Sequence, residues 1–320
     1  MTSVAAFLRR VDKAVLAASG CILALLAGGA IYEPNFLSAD YLLQQLQVGS
    51  FLGVIATGVM LVVLLGHIDL SIPWVVTMGG MMSTAAAGWG GLGSPLAIPF
   101  AVLCGVGMGV INGIGVAYLR VPSMIFTLGM NAIAQGLMVI HTSGFAPQDH
   151  ATPAMHFLAV ERSILGIPNA VWVWAAFGGV TVMVLNRTSS GRRVYAIGNS
   201  ERAVYLSRAN VSLVVVACFA IAGGCSAFAG ALLAGYSTKA YQAMGDPYLL
   251  PAIAAVVLGG TSILGGRGTY LGTVAGVILI TLLQSILSIV QIPEAGRQII
   301  YGVVIIAMLL LYGRSEKVVT

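Results

Sequence analysis

Apolar residues come in long unbroken runs, separated by short polar punctuation. Ten runs can be traced: 14–32, 48–66, 72–88, 96–119, 123–140, 169–185, 211–236, 249–264, 269–290 and 297–312. Stretches of roughly 20 apolar residues with few charges are long enough to cross a hydrocarbon core of ~30 Å as helices. The pattern therefore predicts an all-α, polytopic membrane helix bundle of about ten transmembrane helices. Only two polar interruptions are long. One, 141–168, carries His141, His150, His156, Pro147, Pro153, Pro168 and a single arginine, Arg162. The other, Asn186 to Asn210, reads NRTSSGRRVYAIGNSERAVYLSRAN and holds Arg187, Arg192, Arg193, Arg202 and Arg208 against one acid, Glu201.

That asymmetry orients the chain. With ten crossings, Arg9, Arg10, Lys13, Arg120, the five arginines of 186–210, Arg267, Arg314 and Lys317 fall on the side of the N-terminus, and only Arg162, Lys239 and Arg297 on the other. Cytoplasmic loops carry the excess of Lys and Arg. Both termini and the 186–210 loop are thus expected in the cytoplasm, with 141–168 on the periplasmic side. The chain divides into a cytoplasmic tail (1–13), one transmembrane domain (14–313) and a second tail (314–320). The N-terminal stretch reads as a signal anchor that stays in the protein.

Composition agrees. The chain is 58% hydrophobic and 8% charged, far too little charge for the surface of a soluble protein of 320 residues. Its net charge of +5 does not point to nucleic acid, because the arginines flank apolar spans. Cys21, Cys104, Cys218 and Cys225 lie inside apolar runs without metal-ligand spacing. The three loop histidines suit no helix-face ligand pair either. Glycines recur at four-residue spacing in Gly105, Gly109, Gly113 and in Gly268, Gly272, Gly276, which lets helix backbones approach closely in lipid. VVLLGHIDL (62–70) and VVLGGTSIL (256–264) form a faint internal echo, as a transporter repeat would.

Candidate chemistry is sparse. No GxxxxGK[ST] phosphate loop occurs, so ATP is not hydrolysed here by that route. Asp69 reads either as an N-cap for the helix that begins near Pro73 or as a substrate or gating group. Asn112, Asn131, Gln135 and Gln284 are amides inside spans, which serve as interhelical glue or as hydrogen-bond partners of a polar solute. Ser200 to Arg208 predicts a two-turn helix with Asn199 as its N-cap and Ala203 and Leu206 on one face. A helix so short must dock on something.

Three stretches resemble the inner-membrane permeases of binding-protein-dependent ABC importers of the ribose/xylose/galactoside type. GHIDLS (66–71) is similar to that family's GIDLSVG, SGRRVYAIGNSERAVYLS (190–207) to LGRYIYAIGGNEAAARLSGI, and AIAAVVLGGTSILGGRG (252–268) to AIAAVVLGGTSLAGGRG. The resemblance implies a transporter subunit, not an enzyme. Its partners would be a second permease copy (the same chain or a relative), a cytoplasmic ATPase that uses the ATP and Mg, and a periplasmic solute-binding protein. The permease itself would bind no cofactor or metal. Gly191, Arg192, Tyr195, Gly198, Asn199, Glu201, Ala203 and Ser207 match the loop that docks on the ATPase. Asp69, Asn112, Asn131, Gln135 and Gln284 are the candidates for the solute pathway. Pro73, Pro251 and Arg208 depart from the family's pattern. The solute implied is a sugar, with nucleosides, branched-chain amino acids or a furanone-like signal molecule as alternatives. An ion-coupled secondary carrier is disfavoured by spans almost free of charge.

Overall fold

The structure is a computed structural model and describes residues 13–91, 93–206 and 210–316. Among these, all regular structure is helical: thirteen α-helices, two short 3-10 turns and two isolated bridges. In chain order the helices are α1 (Lys13–Tyr32), α2 (Ala39–Leu64), α3 (Ile72–Ala87), α4 (Gly93–Ala117), α5 (Ser123–His141), α6 (Pro153–Ala159), α7 (Asn169–Arg187), α8 (Ser189–Asn199), α9 (Glu201–Leu206), α10 (Val211–Ser237), α11 (Leu249–Leu258), α12 (Tyr270–Ile289) and α13 (Glu294–Glu316). Among the described residues seven are long and apolar enough to cross a membrane: α1, α2, α4, α5, α7, α10 and α12.

Each of the ten apolar runs holds a helix, with shifted limits. α2 begins at Ala39, where Ser38 caps it by accepting from the Tyr41 N–H, so the polar 39–47 stretch is helical and not a loop. α11 stops at Leu258, well short of the expected 264. The 141–168 loop contains α6, whose Met155 is buried against Gly235 of α10.

α2 and α10 lie at the centre and are buried over most of their length. Glycine sets how closely the helices pack. A Cβ on Gly105 or Gly109 of α4 would sit 2.4 or 2.1 Å from a carbonyl oxygen of α10 (Gly223 and Phe219), and one on Gly113 would sit 2.5 Å from Val216 Cα. A Cβ on Gly272 or Gly276 of α12 would sit 1.9 Å from Gly259 O or Ala255 O of the α11 segment. Such contacts supply the van der Waals packing that replaces the hydrophobic effect between helices in lipid.

The internal echo is structural. Both α2 and α11 end on the same cap. In α2, Gly66 N–H bonds Val63 O and His67 N–H bonds Val62 O (2.9 and 3.2 Å); in α11, Gly260 bonds Val257 O and Thr261 bonds Val256 O (2.9 and 3.2 Å). Gly66 and Gly260 take positive φ values of 79° and 88°, which glycine adopts without strain.

Two sets of loops gather at opposite ends. At one, Arg162 pairs with Asp40 (3.1 Å), Ala151 N–H bonds Thr238 O (3.0 Å) and Gln242 bonds Thr142 Oγ1 (3.2 Å). At the other, the two echo turns, the Arg120 turn and α8–α9 meet.

Candidate functional site

The second end is the candidate site. Between α7 and α10 the chain folds as two helices. The expectation of a single helix from Ser200 with Asn199 as N-cap is corrected. Asn199 closes α8, and Ser200 Oγ accepts from Ala203 N–H at the start of α9 (3.3 Å). α8 is capped by Thr188, whose Oγ1 accepts from Gly191 N–H at 3.2 Å. It is amphipathic. Gly191, Val194 and Ile197 are buried, with Tyr195 and Gly198 half-buried beside them, while Arg192 and Arg193 point outward.

α8 sits in the seam between the two echo turns. A Cβ on Gly198 would lie 2.0 Å from Leu64 O and 2.3 Å from Gly266 N. Gly266 N–H itself donates to Leu64 O (2.9 Å), tying one turn to the other. Tyr195 donates its hydroxyl to Gly268 O (2.9 Å), and Asn199 Nδ2 donates to Gly266 O (3.2 Å). Burial pushes the Tyr195 phenol above its ordinary pKa. Gly191 approaches Val184 O and Leu185 O. The glycines of the loop are therefore contact points of a helix and not flexible linkers.

α9 rests on the bundle through Val204 and leaves Ala203, Tyr205 and Leu206 exposed, the last two at 72 and 83%. Glu201 forms an ion pair with Arg120 of the α4–α5 turn. Arg120, Glu201, Arg202, Tyr205 and Leu206 line an open groove of about 490 Å³. Ser207 and Arg208 lie outside the described residues.

The first echo turn carries Asp69, which is 4% exposed. Its carboxylate accepts the backbone N–H (2.8 Å) and hydroxyl (2.6 Å) of Ser71. Asp69 therefore does not cap α3: Ser71 is the N-cap residue and makes no side-chain cap bond there. Asn112 of α4 donates to Ser71 Oγ (2.8 Å), and its buried Oδ1 has no partner among the described residues. Burial holds the Asp69 carboxyl above the usual carboxylate range, opposed by the two Ser71 donors. Burial lowers the neighbouring His67, opposed by the charge of Glu201.

The remaining amides separate. Asn131 of α5 accepts from Trp74 N–H (3.3 Å) in the first turn of α3. Gln135, one turn further on, is exposed. Gln284 lies in α12 beside the buried Tyr301 hydroxyl, on another part of the bundle. Sequence reasoning missed Ser123 and Thr127, which accept from Ile68 N–H (3.3 Å) and Leu70 N–H (2.9 Å). The four-residue steps from Ser123 to Thr127 and from Thr127 to Asn131 were the available signal. Pro73 stands in the first turn of α3, where its missing N–H costs nothing.

A multi-pass bundle with a short helix wedged between paired turns at one end has the build of a membrane transport permease, and the relatives it matches, named as import permease proteins, make it one of the bacterial inner membrane and not an enzyme. The chain belongs to the family described as branched-chain amino acid transport system / permease component, which it matches over residues 41–309. It is 33% identical to the ribose import permease protein RbsC of Haemophilus influenzae over 90% of each chain. It is 35% identical to the RbsC of Bacillus subtilis over 88% of this chain and 87% of that one. Identity to the autoinducer 2 import system permease protein LsrC of Yersinia enterocolitica is 29%, over 92 and 81%. No solved structure matches the chain.

Proposed function

We propose that this chain is the membrane subunit of an ATP-driven, binding-protein-dependent importer for a sugar or sugar-like solute. The observation that carries the reading is α8–α9. α8 is fixed between two echo turns and α9 rests on the bundle through Val204, while an outer face of Arg192, Arg193, Tyr205 and Leu206 has nothing on it among the described residues. A short helix presenting such a face is built to receive a partner, and a separate ATPase is the partner that an import permease requires. Nucleotide-driven closure of that ATPase would move α8–α9 as a rigid body against the turns.

The solute class rests on the ribose and autoinducer 2 permeases that the chain resembles. In this reading residues 14–313 form one permease domain, crossed ten times, with both termini and 186–210 in the cytoplasm. ATP and Mg are used by the ATPase, and this chain holds neither. A second permease completes the pathway, to which Asp69, Asn112, Asn131, Gln135 and Gln284 contribute polar groups, and a periplasmic binding protein docks on 141–168.

Two measurements test this. A reporter fused after Ser190 is expected inside the cell and one after His150 outside; the reverse would sink the topology. In proteoliposomes, uptake of radiolabelled D-ribose or autoinducer 2 is expected only with ATPase, binding protein and ATP all present. Uptake by the permease alone would instead make it a secondary carrier.

A further inference from the structure

Ser123, Thr127 and Asn131 lie four residues apart on α5 and therefore on one face. Each accepts a backbone N–H from the same short stretch: Ile68 to Ser123 Oγ, Leu70 to Thr127 Oγ1, Trp74 to Asn131 Oδ1 (3.3, 2.9 and 3.3 Å). That stretch carries Asp69 and Ser71, which lead through Asn112 into the middle of α4. α5 buries little else: Met130, Ala134 and Met138 with Thr127 itself. It begins directly after the Arg120 turn. Arg120 holds a left-handed conformation (φ 57°), unusual for a side chain with a Cβ, and pairs with Glu201 of α9.

These contacts form a line separate from the one through α8. α8 bears on the backs of the echo turns, at Leu64, Gly266 and Gly268. α9 bears on Arg120, hence on α5, hence on the front of the first turn. We propose that Thr127, with Ser123 and Asn131, is a positioning residue of a polar clasp. Through the Arg120–Glu201 pair and α5, this clasp carries displacement of α9 to the Asp69 turn. The inference rests on the reading of α8–α9 as the ATPase dock. α5 can act as a rod, because a regular helix carries its own hydrogen bonds, whereas the Ile68, Leu70 and Trp74 N–H groups are held by the clasp. The ion pair is half-exposed and contributes little to stability. It therefore serves as a guide that can be removed without unfolding the bundle, and a docked partner that excludes water from it would strengthen it.

The test is hydrogen exchange of the permease–ATPase complex in nanodiscs, with and without ATP plus orthovanadate. Peptides over 66–74 and 189–199 are followed. In the wild-type complex nucleotide trapping is expected to change both. Arg120→Gln is expected to keep the response of 189–199 and lose that of 66–74, and the swapped pair Arg120→Glu/Glu201→Arg is expected to restore it. Thr127→Val is expected to speed exchange over 68–70 about fivefold before nucleotide is added, the worth of one hydrogen bond in local opening. Thr127→Ser is expected to leave it unchanged. A wild-type complex that responds at 189–199 but not at 66–74 overturns the clasp alone. So does an Arg120→Gln complex with the full response at 66–74. A wild-type complex silent at 189–199 overturns the dock itself, and the clasp with it.

Discussion

Gly198 shows how one residue fixes the site. Its missing side chain lets α8 touch both echo turns at once, at Leu64 and Gly266. Gly198→Ala forces a backbone shift of α8 or of both turns, a cost of about 1–3 kcal/mol as for other overpacked positions. The expected outcome is a lower thermal midpoint for the purified permease and loss of ATPase co-purification, whereas Arg192→Ala leaves the midpoint in place. Asp69 makes a sharper residue-level case. Asp69→Ala strands the buried N–H and hydroxyl of Ser71 and is expected to destabilise by about 1–3 kcal/mol. Asp69→Asn keeps an acceptor for both and should melt near the wild type. A transport loss in that variant, at normal protein level, would then report on the charge itself.

At the scale of elements, α4 and α10 are joined through backbone at Gly105, Gly109 and Gly113. Gly109→Leu would drive a side chain into Phe219 O, and the expected result is a permease that inserts but is degraded or trypsin-sensitive, visible by pulse-chase and limited digestion. This contact was legible in the sequence, because small residues at four-residue spacing have one mechanical use in a membrane. So were the ten apolar runs, each of which holds a helix. α8 was not legible. SSGRRVYAIGN has two glycines, and its first five residues include two serines and two arginines, which locally favour a loop. It is helical because its glycines sit against carbonyls of other segments, information that no local pattern holds. α6 and the early start of α2 were missed for the same reason: their hydrophilic residues are satisfied by caps and by distant partners such as Ala159 O, which accepts from Gln47.

At the scale of the molecule, the sequence located the proposed dock by its arginines and by its resemblance to known permeases. It did not connect the proposed dock to Asp69, because the contacts that would link them run through the two echo turns and α5, whose meeting is a property of the assembled bundle. The echo itself now has a physical content, two matched caps facing each other and bridged by Gly266 to Leu64. One half of that pair has a consequence for how the protein is made. α11 has ten residues, about 15 Å of helix at 1.5 Å per residue, which is half a bilayer core. It is too short to be recognised and released into lipid as an independent segment when it leaves the insertion machinery. Its trailing turn also depends on another segment, because the Gly266 N–H is held by Leu64 of α2. α11 must therefore wait for α12, whose Gly272 and Gly276 are shaped to receive it, and the two enter the bilayer together as one hairpin against an α2 that is already in place.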